Sequence, residues 1–280
     1  MHFQYYPGHM TKAKRMMKEN IKLIDLIIEL VDARVPLSSR NPDIDELGEH
    51  KARLILLNKA DLAQEAWNDK WVSYFQDKGY SVLKINSKKG GRMKPVLEII
   101  EVACKEKKER DRKRGILNRP VRAMVVGIPN VGKSTFINAI AGKAATKTGN
   151  KPGVTKGKQW IRLNKSVELL DTPGILWPKF EDQQVGLNLA LIGSIKDELL
   201  NIEELALSLI TFLLEYYPHV LNEKYGIEEA KDAVVALQEI AKSRHCLERG
   251  NELDLLKASR LLLDDFRNGR IDRITLEHTK

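Results

Sequence analysis

Residues Gly127-Ile128-Pro129-Asn130-Val131-Gly132-Lys133-Ser134 spell G-x-x-x-x-G-K-S, and no other segment restricts the fold of this chain as tightly. The segment follows an apolar run, Arg122-Ala123-Met124-Val125-Val126, and opens a stretch with helical character. A strand, a glycine loop and a helix in that order form the setting in which such a loop wraps a phosphate chain. The glycines let the backbone approach the anion, while the loop N–H groups and the helix N-terminus point at it. Lys133 is placed to reach the outer phosphates, and the Ser134 hydroxyl to ligate Mg2+. The expected phosphate-side contacts are Gly127, Asn130, Val131, Gly132, Lys133, Ser134 and Thr135.

The rest of the first 180 residues alternates apolar runs with helical stretches. Leu26–Val31, Leu54–Leu57 and Ser81–Ile85 read as strands, with helices over 10–22, 65–79 and 94–107. Lys105–Arg119 reads as a solvated connector or helix end, and 143–158, rich in Gly, Thr and Lys, as a loop. Gln159–Leu163 and Val167–Leu170 read as two paired strands. This alternation predicts an α/β, doubly wound domain. From 181 onward no strand pattern stands out. Leu187, Leu191 and Ile195, then Leu205, Leu209 and Phe212, keep helical spacing, so an all-α C-terminal domain is expected over 181–280.

A phosphate loop does not choose its base. Asn58-Lys59-Ala60-Asp61 does, at the end of a predicted strand. A carboxylate in the base plane accepts from guanine N1–H and the exocyclic amine, and adenine lacks that pair of donors. Asn86-Ser87-Lys88 follows the next strand, where a backbone N–H meets the guanine carbonyl. The Asp171-Thr172-Pro173-Gly174 segment ends another strand. Asp171 is expected to hold Mg2+ from its outer coordination sphere, and the Gly174 N–H to register loss of the γ-phosphate. Thr155 is the candidate for a second hydroxyl ligand to the metal, with Thr146 and Thr148 as rivals.

The order of these motifs is unusual. N-K-A-D (58–61) and N-S-K (86–88) precede the phosphate loop, P-G-V-T (152–155) and D-T-P-G (171–174), whereas they commonly follow them. The order resembles the circularly permuted GTPases. With Tyr6-Pro7-Gly8-His9-Met10, Asp32-Ala33-Arg34 and Asp171–Pro178, the chain resembles the ribosome biogenesis GTPase A family along nearly its whole length. That resemblance implies a circularly permuted GTPase domain over 1–180 and a helical ribosome-binding domain over 181–280. It also implies GTP and GDP as ligands and the large (50S) ribosomal subunit, its rRNA and proteins, as partner. Asn86-Ser87-Lys88 departs from the usual Ser-Ala-Lys, and Tyr6 stands where Trp or Phe is usual.

Many GTPases place a glutamine after D-x-x-G to orient water, but here that residue is Ile175. His9 is one candidate to place the nucleophile, an RNA-contacting or packed histidine being the alternative. Asn130 is a candidate to hold K+ against the phosphates, as similarity to potassium-dependent GTPases suggests. Lys143, Lys147, Lys151, Lys156 and Lys158 flank the expected switch and are candidates for RNA phosphate contacts. A GTP-sensing RNA-binding protein with incidental hydrolysis is the rival reading of the whole.

Charge is split along the chain. Residues 1–180 carry a net +16 and 181–280 a net −7, and from Arg112 to Val167 there are 13 basic residues and no acidic one. Such a field attracts polyanions such as nucleic acid, although a basic soluble surface around one nucleotide pocket also accounts for it. Cys104 and Cys246 lack metal-ligand spacing and read as reduced, buried thiols. No apolar run approaches a membrane span and no signal peptide is visible, so a cytoplasmic, monomeric protein is expected.

Overall fold

The computed structural model describes residues 8–89, 94–116, 119–142, 145–146, 159–178, 180–227 and 232–279, the side chain of His9 excepted. One compact unit runs over 8–181 and takes back 275–279, and a second comprises 182–274. The helical region expected to reach residue 280 therefore gives up its last described residues to the first unit.

The first unit holds β1 (Leu26–Asp32), β2 (Ala52–Asn58), β3 (Ser81–Lys84), β4 (Val121–Gly127), β5 (Gln159–Arg162) and β6 (Val167–Asp171). They form one sheet in the order β3-β2-β1-β4-β6-β5. β5 and β6 pair antiparallel, and every other neighbour is parallel. Every residue of β1 is buried, as a central strand covered on both faces requires. Asp32 pairs in register with Asn58, Leu30 with Gly127 and Val125 with Asp171. The carboxyl ends of β1, β2, β4 and β6 thus share one edge. The chain leaves β1 toward β2 and β3, then resumes on the opposite side at β4. A crevice opens at such a reversal, outside the carboxyl ends of the strands, and ligands of doubly wound folds sit there.

Around the sheet lie α1 (Gly8–Asn20), α2 (Pro42–Leu47), α3 (Glu65–Asp77), α4 (Lys94–Ala103), α5 (Lys105–Lys113) and α6 (Lys133–Ala141). α3 presses Trp71 and Phe75 onto Val31, Ile55, Leu57 and Val82. Burying Phe75 alone is worth about 1.5–3 kcal/mol. α1 begins at Gly8, two residues ahead of the helix expected from 10, so the backbone of His9 lies in its first turn. The charged stretch read as a solvated connector or helix end is helical over Lys105–Lys113 as α5. It has no apolar stripe, and Lys107 supports it by pairing with Asp111 at i+4 and with Asp25.

The second unit comprises α7 (Gln183–Leu191), α8 (Ile202–Tyr216), α9 (Val220–Tyr225), α10 (Ala233–Ser243) and α11 (Leu255–Arg267). Asp182, Asn201, Asp232 and Asp254 each cap the helix that follows with a side-chain oxygen. α8, α10 and α11 bury Leu205, Leu209, Leu213, Ile240, Leu262 and Phe266 as a common core. Arg267 donates to the carbonyls of Leu191 at 2.9 Å and Ala190 at 2.8 Å, and so closes the C-terminus of α7. α7 stops at Leu191, so Ile195 does not extend its helical spacing. Both cysteines are free and buried. Among the described residues no helix is long and apolar enough to cross a membrane.

Candidate active site

The loop between β4 and α6 turns through two left-handed residues, Asn130 at φ 58° and Gly132 at φ 100°. Asparagine is among the few side-chain-bearing residues that tolerate this region. Gly132 is needed for space as well: a Cβ there would lie 2.5 Å from Nδ2 of Asn58. A Cβ on Gly174 would sit 2.8 Å from the Lys133 ammonium and 2.9 Å from Pro129 Cα. Two glycines therefore let the N-K-A-D strand end and the D-T-P-G segment close on the phosphate loop from either side.

Lys133 is buried and donates to the carbonyls of Gly127 at 3.2 Å and Ile128 at 3.4 Å. Burial pushes its ammonium down to about 8, and nearby Asp171 only partly restores it. Asp171 ends β6 with both carboxylate oxygens buried and, among the described residues, short of a well-formed hydrogen bond. Burial pushes its carboxyl up to about 6, against the opposing influences of the Lys133 charge and the adjoining Thr172 N–H. The next residues are stitched to β4. The Thr172 hydroxyl donates to Val125 O at 2.7 Å, and Ile175 N–H to Gly127 O at 3.4 Å. Ile175, where other GTPases carry glutamine, is buried and apolar.

On the base side, Asn58 is a hub. Its amide donates to Val131 O at 2.7 Å, and its carbonyl oxygen accepts from the Ser87 N–H at 3.1 Å and the Ser87 hydroxyl at 2.9 Å. One side chain thus ties the phosphate loop, the N-K-A-D motif and the N-S-K loop together. Asn86 turns back on its own loop, accepting from the N–H groups of Lys88 at 2.9 Å and Lys89 at 3.2 Å. Lys59 adopts φ 57° and sends its ammonium 2.8 Å to Asp32. The same carboxylate takes a forked contact from buried Arg34, at 2.9 and 2.8 Å. Burial alone would raise the Asp32 carboxyl, but the Arg34 and Lys59 charges hold it well below the usual range. Asp61 stands half-buried in the short turn Ala60–Leu62 and makes no hydrogen bond among the described residues.

Of the expected site, Asn58, Lys59, Ala60, Asp61, Asn86, Ser87, Lys88, the phosphate loop with Thr135, Asp171 and Gly174 gather along one sheet edge. Thr155, Thr148, the His9 side chain and the five switch lysines lie outside the described residues. The rival Thr146 is tied to α6, its hydroxyl donating to Ser134 O at 3.2 Å and its N–H to Asn138 Oδ1 at 2.7 Å. Sequence reasoning assigned no part to Asn138, nor to Asp32 and Arg34 as the anchor of Lys59. The register of Asp32 beside Asn58 is the signal that reveals that anchor.

Over 99% of its length the chain is 49% identical to ribosome biogenesis GTPase A of Bacillus cereus, covering 94% of that protein. The chain belongs to the ribosome biogenesis GTPase A family. It is a GTPase, an enzyme that binds and hydrolyses GTP. The family model described as "50S ribosome-binding GTPase" matches residues 122–246. That match begins within β4 and leaves Asn58–Asp61 outside. Among solved structures, the chain is similar to GNP-bound YlqF of T. maritima. The TM-score is 0.68 and identity 28%, with 95% of this chain and 98% of that one covered. It matches GDP-bound YlqF with the same TM-score at 27% identity, covering 94% and 99%.

Proposed function

We propose that this GTPase is an assembly factor for the large (50S) ribosomal subunit, whose GTP hydrolysis is stimulated by the particle and coupled to release. The observation that carries the nucleotide chemistry is the buried Asp171 carboxylate, without a well-formed hydrogen bond among the described residues, set near a buried Lys133. Two desolvated groups of opposite charge without a direct pair suit an ion and an anion arriving together. The residues therefore fit Mg2+: Ser134 and Thr155 would hold it directly, and Asp171 from its outer coordination sphere. When bound, Mg2+ would neutralise charge on the outer phosphates.

Lys133 binds the β and γ phosphates, and the loop N–H groups with Thr135 complete the cradle. Asp61 reads guanine, and Asn58 keeps that reader in register with the cradle. Gly174, crowded against Lys133 and Pro129, presents its N–H to the γ-phosphate. With Ile175 unable to orient water, His9 places the nucleophile, and Asn130 helps to hold K+ at the phosphates. The ribosomal partner is supported by family membership and by the +16 charge of residues 1–180.

Turnover measured against increasing large subunit tests this reading. Steep stimulation by 50S particles, none by 30S particles, and faster turnover in K+ than in Na+ are the expected results. Equal rates with either subunit would leave a GTP-sensing RNA-binding protein with incidental hydrolysis.

Asp171 gives a separate, structural test. Moving a carboxyl from 3.8 to about 6 corresponds to about 3 kcal/mol. The folded pKa is raised, so the folded state holds the extra proton between those values. The linked stability is present at low pH and is lost as pH rises through about 6. Asp171→Asn should remove that loss and raise the melting temperature of the nucleotide-free protein by about 5 °C at pH 7.5. It should also abolish the further stabilisation that GTP with Mg2+ gives the parent chain. A flat or lowered melting temperature would show that the buried carboxylate costs the fold nothing.

A further inference from the structure

The last described residues return to the GTPase unit and bind beside its base-reading motif. Leu276 N–H donates to Arg34 O at 2.8 Å. The Glu277 carboxylate accepts the N–H groups of Leu37 at 2.6 Å and Ser38 at 2.9 Å, and the Ser38 hydroxyl as well. Trp71 in α3 donates its indole N–H to Glu277 O at 3.0 Å. Thr275 Oγ1 accepts the N–H of Gln64, the residue before α3, at 3.0 Å. His278 stacks on Trp67 with ring centroids 4.2 Å apart. The tail thus holds two pieces of backbone: the turn that follows β1 and the start of α3.

Both pieces border the N-K-A-D motif. Within the turn, Ala33 N–H donates to Asn58 O at 2.9 Å, and Asp32 with Arg34 fixes the Lys59 ammonium. Gln64 stands three residues after Asp61 in the chain. The motif is therefore clamped from the Asn58–Lys59 side through the turn, and from the Asp61 side through Gln64. A carboxylate accepting two backbone N–H groups and a hydroxyl is a strong and directional anchor. The contacts of Thr275, Leu276 and Glu277 with Gln64, Arg34, Leu37, Ser38 and Trp71 all fall beside the base half of the site.

We propose that the 275–279 tail, through Glu277, is a positioning element for guanine recognition: it holds the N-K-A-D turn so that Asp61 meets the base. The inference rests on the reading of Asp61 as the guanine acceptor. The tail is the direct continuation of the chain that leaves the helical unit at Ile274. A partner that draws on that segment would loosen base recognition and speed nucleotide release without touching the phosphate loop.

The test is discrimination rather than affinity alone. Inosine lacks the exocyclic amine that Asp61 would accept, so the ratio of GDP to IDP affinity reports on the base contact. Calorimetric titrations of both nucleotides with the full-length chain should give a preference for GDP on the order of tenfold or more. Asp61→Ala should bring the ratio close to one. Glu277→Ala, and a chain ending at Ile274, should reduce the ratio severalfold while GDP dissociates faster. Glu277→Gln, which keeps an acceptor but loses the charge, should fall between. If Glu277→Ala and Glu277→Gln keep the parent ratio while binding both nucleotides more weakly, the tail is structural only and the proposal fails. The two point variants decide this whether or not the truncated chain folds. If Asp61→Ala itself keeps the parent ratio, the reading of the base site fails, and this outcome is separable from failure of the tail.

Discussion

Lys133→Ala should lower GTP turnover by on the order of 10²–10³-fold, the usual consequence of removing one preorganised donor from a site of developing negative charge. The structure also says why the loss is chemical and not a loss of fold. Lys133 is a desolvated ammonium pushed down to about 8, donating to two backbone carbonyls. Keeping it charged there is a cost to the folded chain, offset when phosphates arrive. Truncation removes that cost, so the melting temperature without nucleotide should stay level or rise. The stabilisation that GTP confers on the parent should vanish with the side chain. Single-turnover hydrolysis and thermal melting, each with and without GTP, separate these effects. Turnover within about threefold of the parent would show that Lys133 is not the phosphate-binding cation. A collapse in melting temperature without nucleotide would mean that its carbonyl contacts, rather than its charge, matter to the chain.

How much of this was legible in the sequence varied with the range of the interactions. The phosphate loop is local: strand, glycines and helix follow one another directly in the chain, so its place after β4 could be read directly. The strands were legible as apolar runs because a parallel sheet buries both faces, and β1 is buried throughout. α5 was not, since Lys105–Lys113 carries no apolar stripe and is held by charge pairs instead. The pairing of Asp32 and Arg34 with Lys59 spans two strands and emerges only from their register. The tail was least legible of all. Glu277 meets Leu37 across 240 residues of chain, and neither Thr275-Leu276-Glu277-His278 nor the turn it binds carries a local signal of the other. Permutation is legible as motif order, but the side-chain contact that ties the two halves emerges only from the fold. A single Asn58 side chain bridges Val131 and Ser87, joining halves that the permuted chain keeps far apart in sequence.

The base half should be as separable in experiment as it is in the chain. Asp61→Asn should weaken GTP binding by at least about 10²-fold and confer binding of xanthosine triphosphate, because a site built around a hydrogen bond rejects the analogue that leaves its groups unpaired. Guanine offers N1–H and an amine, both donors that suit a carboxylate. Xanthine keeps N1–H but replaces the amine with a carbonyl, which suits the one acceptor and one donor of an amide. The switch requires that the turn bearing residue 61 hold its shape, and the structure supplies the reason. Lys59 is fixed by Asp32, Asn58 by Val131 and Ser87, and Gln64 by Thr275, none of them through Asp61. The substitution therefore changes the donor pattern and leaves its frame. Lys133, Asp171 and Gly174 keep their places, so turnover of bound xanthosine triphosphate by the variant should approach turnover of GTP by the parent. Competition between the two nucleotides, followed by single-turnover rates for each, checks both statements. Unchanged GTP affinity with no gain for xanthosine triphosphate would move guanine recognition to another acceptor. Gained affinity with lost turnover would instead show that base and phosphate halves are coupled, and Asn58, which donates to Val131 and accepts from Ser87, is a side chain that joins them.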